Sequence, residues 1–265
     1  MASEEHRFRL GKISATQGLP QMGKLNKILS GQEIMPGTPG DRRGIRRVSY
    51  DEEAELLFFV YIEEQKREFT SLNEEGEITT QKMYPLSTAK CVLSDNTIVF
   101  ESTQGIIFQD IISQIFQTFS VSPEAEVIEE IDRKAMLSFF ENSLDSLKKY
   151  KVKEIGEHEP PTNPIDVTGR ARDVVDGTRD VLDSLLGSVG REGDADDELS
   201  KALIGLSVPD RLRGEDNDGR IRELYRSGRA VLRYDDEQMD DEEEANLIRE
   251  FVYESYSDHI RSNGQ

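Results

Sequence analysis

A cluster of arginines near the N-terminus is the part of the sequence whose residue types point most directly to chemistry. The segment Arg42-Arg43-Gly44-Ile45-Arg46-Arg47 lies within residues 1–48, which carry nine bases against four acids. Clustered bases are typical of phosphate-binding surfaces, and a planar guanidinium can donate two hydrogen bonds to phosphate oxygens. The cluster predicts nucleic-acid binding by Arg42, Arg43, Arg46 and Arg47. A later basic group adds two more predicted nucleic-acid contacts, Lys148 and Lys149.

The same arginines have an alternative role, which is to pair with the protein's own acidic residues. The chain carries 53 acids against 33 bases, for a formal net charge of −20. Salt also opposes the nucleic-acid interpretation, because with about five phosphate contacts a tenfold rise in salt costs roughly 10⁴–10⁵ in affinity. Phosphate binding and a high-salt environment are therefore competing expectations.

Three further residues flank a strongly apolar segment at residues 55–64. Asp51 precedes this segment and Glu64-Gln65-Lys66 ends it. Alternation along a strand puts Glu64 and Lys66 on the same face. An aspartate with a Glu-x-Lys at a strand end resembles the active-site pattern of restriction-type metal-dependent nucleases. The resemblance implies Mg²⁺ held by the two carboxylates, with the lysine assisting the attacking water; the alternative is a solvated strand end.

Other standard catalytic and metal sites are missing from the sequence. The three histidines, His6, His158 and His259, have no second histidine at metal-ligand spacing, and Cys91 is the one cysteine. The chain contains neither a Gly-Lys-Ser/Thr phosphate loop nor a Gly-x-Ser-x-Gly nucleophile motif. The acidic run 216–219 fails the ligand spacing of a calcium loop. We therefore predict no metal site and no cofactor, and we expect a non-enzymatic protein, with the metal-dependent nuclease of Asp51, Glu64 and Lys66 as the alternative.

The acidic composition of the chain indicates a protein that works at high salt concentration. Arginines outnumber lysines by 21 to 12. In dilute salt such a charge repels itself and destabilises the compact state, whereas at molar salt the Debye length falls to about 3 Å. The composition is therefore typical of a protein from a high-salt cytoplasm, or from a virus or mobile element of such a host. The alternative is an ordinary acidic protein from a low-salt organism.

A composition shift divides the chain at a proline-rich stretch. Residues 1–155 have a net charge of −6 and residues 156–265 a net charge of −14, and three of the nine prolines lie at 160–164. Proline removes backbone donors and disfavours a helix at the preceding residue. We predict an α+β domain with a basic N-terminal segment at 1–155, a linker at 156–165 and an acidic, mainly helical region at 166–265. A proline-rich loop within one domain is the alternative.

The first part of the chain reads as an antiparallel β-meander with packed helices. Short β-prone segments at 7–10, 55–64, 77–84, 88–93 and 97–102 are separated by turn residues, with an irregular stretch up to about residue 45. The apolar stripe from Ile107 to Phe119 recurs every three or four residues and predicts a helix. Beyond it we predict a strand at 126–131, a helix at 133–148 and a strand at 149–155. One continuous helix from Pro123 fits almost as well.

The second part of the chain reads as mainly helical. We predict helices at 174–189 and 197–206, a third helix after Asp218-Gly219, a strand at 230–234 and a last helix after the acidic run 240–244. Together these elements define an α+β fold whose antiparallel meander is followed by the helical acidic region. Because the standard catalytic motifs are missing, we expect a non-enzymatic cytoplasmic binding or accessory protein. Its predicted partner is an unidentified protein or, alternatively, nucleic acid, with no membrane segment.

The net charge generates a prediction about stability. Raising KCl from about 0.1 M to about 2 M should raise the midpoint of thermal unfolding, because screening relieves repulsion between the acids. Scanning calorimetry across the salt series measures the midpoint. A flat or falling midpoint would remove the argument for a high-salt environment.

Overall fold

The computed structural model describes two compact units. The N-terminal unit comprises His6–Ile128, Asp236–Tyr253 and His259–Gln265, and the C-terminal unit comprises Met1–Glu5, Glu129–Asp235 and Glu254–Asp258. The described residues are 4–16, 18–32, 37–72, 78–119, 121–132, 135–136, 138–139, 147–155, 209–216, 218–235 and 239–261. The predicted linker at 156–165 lies outside these residues, so the predicted domain division stays a prediction.

An antiparallel sheet forms the centre of the N-terminal unit, which confirms the predicted sheet. Its strands are β1 (Glu4–Ser14), β2 (Arg43–Asp51), β3 (Leu56–Glu64), β6 (Leu86–Ser94) and β7 (Thr97–Glu101). They lie in the order β2-β3-β6-β7-β1. A short strand, β8 (Glu124–Val127), pairs with the end of β1.

The strand β3 is apolar from Leu56 to Ile62, where both of its faces are buried. Leu57, Phe59 and Tyr61 point into a core with α1 (Met22–Ser30) and α2 (Phe108–Phe116). The alternate residues Phe58, Val60 and Ile62 are also buried. A strand buried on both faces reads as a continuous hydrophobic run rather than as alternation, which is the pattern at residues 56–62.

The helix α3 (Asp241–Arg261) contributes its N-terminal half to the second face of the sheet. The ring of Phe251 lies 5.9 Å from that of Phe8 in β1, and Arg249 donates hydrogen bonds to the carbonyl and hydroxyl of Ser49 in β2. The predicted last helix is therefore confirmed. Its first turn carries four acids, which the helix dipole stabilises there.

Gly11 in β1 allows α2 to approach the sheet closely. A Cβ atom at this position would lie 2.5 Å from Cζ of Phe108, whose ring stacks on Phe100 with 4.5 Å between centroids. The predicted helix at 107–119 is confirmed with slightly narrower bounds.

Two further strands form a separate hairpin outside the main sheet. After β3, the chain forms β4 (Arg67–Leu72) and β5 (Ile78–Met83), which pair with each other in a two-stranded sheet. The strand β6 then returns beside β3, with Leu57 opposite Leu93. The predicted meander is therefore interrupted by a hairpin that forms no part of the main sheet.

The C-terminal unit contains a second run of antiparallel strands. They are β9 (Leu147–Ile155), β10 (Pro209–Asp216), β11 (Ile221–Tyr225) and β12 (Arg229–Tyr234), paired in that order. Leu212, Leu224 and Leu232 are buried on one face. On the same side the buried Arg222 forms an ion pair with Glu254.

Several predicted elements differ from the structure. The helix predicted after Asp218-Gly219 is wrong, because Ile221–Tyr225 is a strand. The stretch up to residue 45, predicted to be irregular, contains α1 and the start of β2. The helix predicted to reach residue 148 ends earlier, because β9 begins at Leu147. The predicted helices at 174–189 and 197–206 lie outside the described residues.

Other features agree with the expectations. The predicted strands at 149–155 and 230–234 are confirmed as β9 and β12. The structure also describes an α+β arrangement, with three helices in the described part. Every helix in that part is too short or too polar to cross a lipid bilayer.

The buried face of α2 generates a stability prediction. Ile111→Ala should lower the free energy of unfolding by about 2–5 kcal/mol, because Ile111 is fully buried and truncation leaves a cavity. Ile107→Ala is the matched control: this side chain is 60% exposed, so the change should stay within about 0.5 kcal/mol.

The thiol of Cys91 offers the measurement. It lies in the same core as Ile111, and burial raises its pKa well above the ordinary value. Thiol labelling during urea unfolding therefore reports when this core opens. Equal midpoints for Ile111→Ala and Ile107→Ala would contradict the packing described here.

Candidate functional site

The predicted arginine cluster lies in and just before β2, and its first two arginines bind carboxylates. Arg43 contacts Glu63 at 3.1 Å and Asp110 at 2.8 Å. Burial by itself lowers the pKa of Arg43, but Tyr61 and these two carboxylates raise it overall. Arg42 lies 3.6 Å from Glu64. Both guanidinium groups are therefore matched by acids of the N-terminal unit.

The last two arginines of the cluster have different environments. Arg47 contacts Asp241 at 2.8 Å and Glu244 at 2.9 Å, both in the first turn of α3. Its backbone has a φ of 51° and lies in a register shift between Arg46 and Ser49. Such a bulge redirects a side chain. Arg46 is exposed, and no ion pair of its side chain is found in the described part of the chain.

A network of buried charges continues from Glu244. Its second oxygen lies 2.6 Å from Nζ of Lys90. Lys90 Nζ lies 3.4 Å from Nδ1 of His6, which in turn lies 2.8 Å from Glu101. The network joins β1, β6 and β7 to the first turn of α3. A network of buried polar contacts such as this one favours a single arrangement of the elements that carry it.

The three residues of the nuclease-like pattern are not brought together. Asp51 accepts hydrogen bonds from the backbone N–H groups of Glu53 and Ala54 and so caps the β2–β3 turn. Glu64 lies at the other end of β3, roughly 26 Å away at about 3.3 Å per residue. Lys66 lies 3.4 Å from Glu68. Two carboxylates at opposite ends of a strand cannot share one metal ion.

The remaining predicted residues lie in the C-terminal unit. Lys148 and Lys149 are in β9, where Lys149 is opposite Glu215 of β10. Asp218, from the acidic run 216–219, contacts Arg220 at 3.0 Å. Among the residues that the structure describes, no three His, Cys, Asp or Glu side chains form a metal-ligand group.

The most unusual surface of the N-terminal unit is the hairpin formed by β4 and β5, here called the arm. Its large apolar side chains are solvent-exposed: Phe69 is 50% exposed, Ile78 73% and Met83 51%. The register places Met83 opposite Arg67, on the same face as Phe69, and Ile78 opposite Leu72, on the other face. Both faces of the arm therefore present an apolar side chain to solvent.

The base of the arm is held by hydrogen bonds from two backbone amides. The amide of Gln65 donates to the carbonyl of Pro85 at 3.0 Å, and the amide of Gly40 donates to Glu64 at 2.8 Å. Gly40 has a φ of 94°, and a Cβ there would lie 2.9 Å from the ring of Tyr84. Tyr84 and Leu86 extend the exposed apolar surface beyond the arm.

The sequence gives only a weak indication of the arm. The sequence predicts a strand at 77–84, but residues 67–72 contain just two large apolar residues, Phe69 and Leu72. Neither any protein-family model nor any curated protein matches this chain. The functional argument therefore depends on the chain's own geometry, and the arm is the candidate site.

The two environments in the arginine cluster generate a prediction. Arg43→Gln should lower the free energy of unfolding by about 1 kcal/mol, because it removes the cation from two partly exposed ion pairs, with Glu63 and with Asp110. Arg46→Gln, in the same strand, should change it by less than about 0.5 kcal/mol. Urea unfolding at low salt measures both. Equal effects of the two substitutions would show that the ion pairs of Arg43 contribute nothing.

Proposed function

We propose that this protein is a non-enzymatic binding or accessory protein that holds a protein partner with its arm. One observation carries the proposal: the arm exposes large apolar side chains on both of its faces. Exposed apolar patches are a usual mark of interaction surfaces. An isolated two-stranded hairpin is also only marginally stable in water, so a partner that covers the arm would stabilise it.

The geometry favours a partner strand that adds to an edge of the arm. In the described part of the chain β4 and β5 pair only with each other, so each strand has an outer edge with unused backbone groups. An added strand gains main-chain hydrogen bonds, and its alternate side chains gain apolar contacts. Phe69 and Met83 would supply those contacts on one face, and Ile78 on the other.

The charge of the arm supports a protein rather than a polyanion as partner. Residues 66–83 carry three bases and four acids, so the arm is nearly neutral in a chain of net charge −20. A neutral, apolar surface offers little attraction to phosphates or to anionic lipids. Self-association is opposed at low salt by the repulsion between two strongly acidic chains.

The arginine cluster does not support a second candidate function. Arg42, Arg43 and Arg47 already contact carboxylates, and each would have to give up these contacts to bind phosphate. We propose that the protein works in the cytoplasm. Two features of the sequence support this location: it has one cysteine, and its strongly acidic composition suits high salt.

The test replaces the exposed apolar side chains of the arm by threonine, which favours strands. The variant Phe69→Thr, Ile78→Thr, Met83→Thr should fold normally but lose partner binding, with Kd raised about 100-fold or more if two side chains each contribute about 1.4 kcal/mol or more. Ile107→Thr is the matched control, because Ile107 is an exposed apolar residue outside the arm.

A photocrosslinking amino acid at position 69, in cells of the host, identifies the partner for the binding measurement. We expect a crosslink to one partner protein whose purified form binds the wild type and the Ile107→Thr control but not the arm variant. A crosslink only to a second copy of this chain, or equal binding by the arm variant, would overturn the proposal.

A further inference from the structure

Ser49 in β2 is in contact with a buried arginine that has no acidic partner. Arg249 of α3 is 8% exposed. Its guanidinium donates to the carbonyl and hydroxyl oxygens of Ser49 and to the side-chain oxygen of Asn246, which are all neutral groups. Among the described residues, no carboxylate lies within ion-pairing distance of it. Because a buried charge without a counter-charge is costly, the guanidinium of Arg249 favours an anion at this place.

A second arginine lies on the same face of the sheet as Ser49. Arg46 is opposite Val60 and Ser49 is opposite Phe58, and alternate residues of a strand share a face. Arg46 is the exposed arginine of the cluster, which likewise has no ion pair in the described part of the chain. Alternate positions lie about 7 Å apart along a strand. The hydroxyl of Ser49 therefore has one buried cation in contact and one exposed cation within side-chain reach.

The acids nearest to this place in the sequence of α3 are already matched by other cations. Asp241 and Glu244 contact Arg47, and Glu244 also contacts Lys90. These carboxylates therefore do not serve Arg249. In a chain with a net charge of −20, two arginines without an acid beside one hydroxyl are a local arrangement rather than a consequence of composition.

The residues before Ser49 form the kind of sequence that basic-directed protein kinases phosphorylate. The segment reads Arg46-Arg47-Val48-Ser49, with arginines three and two residues before the serine. Protein kinases select their substrates by charge patterns of this kind around the acceptor residue. The motif and the buried arginine are independent observations, because Arg249 comes from the other end of the chain.

The position of β2 makes this segment accessible by local opening. The strand is at the edge of the sheet, and its pairing with β3 is interrupted by the bulge between Arg46 and Ser49. Ser49 itself is partly exposed. A bulged edge strand has fewer pairing hydrogen bonds to break than a central strand, so it can present an extended segment to an enzyme.

We propose that Ser49 is a phosphorylation site whose phosphate is held by Arg249 and Arg46. The hydroxyl oxygen of Ser49 attacks the γ-phosphorus of a nucleoside triphosphate, and the bond from that phosphorus to the β–γ bridging oxygen breaks. The hydroxyl proton passes to a base of the kinase, and a nucleoside diphosphate leaves. The phosphate carries about −1.5 to −2 charges at neutral pH and three acceptor oxygens, which suit the forked donors of two guanidinium groups.

Phosphorylation at this site strengthens the contact between β2 and α3. In the unmodified protein, Arg249 contacts Ser49 through neutral acceptors, whereas hydrogen bonds between two charged groups are roughly twice as strong. The modification therefore regulates how firmly α3 is held on the sheet of the N-terminal unit. This inference does not rest on the binding function proposed for the arm.

The first experiment tests whether the two arginines hold the phosphate. Phosphoserine is incorporated at position 49 of the full chain, and its second ionisation is followed by phosphorus NMR. Nearby cations favour the dianion, so the midpoint should lie about one pH unit or more below the ordinary value of about 6. Arg249→Gln and Arg46→Gln should each move the midpoint back toward about 6. Because Arg46 is exposed, its substitution tests the proposal even if Arg249→Gln loosens α3.

The matched control is Arg9→Gln, which removes an arginine from the other face of the sheet. Arg9 alternates with Gly11, which faces Phe108 of α2. This variant should leave the midpoint where it is in the phosphorylated wild type. A midpoint of about 6, or one that neither Arg249→Gln nor Arg46→Gln moves, would overturn the proposal.

Hydrogen exchange measures the consequence for α3. The phosphoserine protein should exchange its α3 amides at least about tenfold more slowly than the unmodified protein, because it gains charge-assisted hydrogen bonds. Inorganic phosphate added to the unmodified protein is the comparison for a free anion. Equal slowing by inorganic phosphate, lost in Arg249→Gln, would assign the arginines to a free phosphate and would overturn the modification.

The second experiment tests whether Ser49 is modified. Extract of the host with ATP labelled at its γ-phosphate is incubated with the wild type, with Ser49→Ala and with the control Ser113→Ala. Ser113 is an exposed serine of α2 without preceding arginines. The wild type and the control should each gain one phosphoryl group at Ser49, and the double variant Arg46→Gln, Arg47→Gln should gain it at least about tenfold more slowly. Equal labelling of Ser49→Ala and the wild type, or no labelling of either, would contradict the proposal.

Discussion

The burial of β3 on both faces is the constraint on which the N-terminal unit depends. Seven consecutive apolar residues, from Leu56 to Ile62, are buried, and a strand can hide both faces only between two layers. The helices α1 and α2 supply one layer, and the first half of α3 supplies the other. Because α3 comes from the far end of the chain, this unit cannot be completed by residues 1–128 alone. The charge network around Lys90 and Glu244 then fixes where α3 begins on the sheet.

This arrangement also explains why most arginines of the cluster lie in ion pairs with the protein's own carboxylates. The strand β2 lies beside β3, within reach of acids on β3, on α2 and at the start of α3. Arg42, Arg43 and Arg47 each find a carboxylate there. In this strongly acidic protein, these three arginines therefore form ion pairs that connect the elements of the N-terminal unit. The arm, by contrast, keeps its large apolar side chains exposed.

In the described part of the chain, the arm offers exposed apolar side chains and outer strand edges with almost no net charge, which suits a protein strand. Because the proposed contact depends on apolar burial and main-chain hydrogen bonds rather than on charge, binding at the arm should tolerate salt.

The sequence by itself determined the elements whose pattern is local. Three features can be predicted from windows of about a dozen residues, and the structure contains all three. They are the apolar run of β3, the apolar stripe of α2 and the acidic first turn of α3. Short or weakly apolar elements, such as α1 and β4, are decided by packing partners distant in the sequence, because an isolated short helix or hairpin is marginal in water. The segment after Gly219 became β11 for the same reason, since its pairing with β10 and β12 outweighs local preference. Only tertiary structure decided which charges meet: Asp110 of α2 lies beside Arg43 of β2, and a bulge turned Arg47 toward α3. Charge and residue type are properties of the sequence, but distance between charges is a property of the fold.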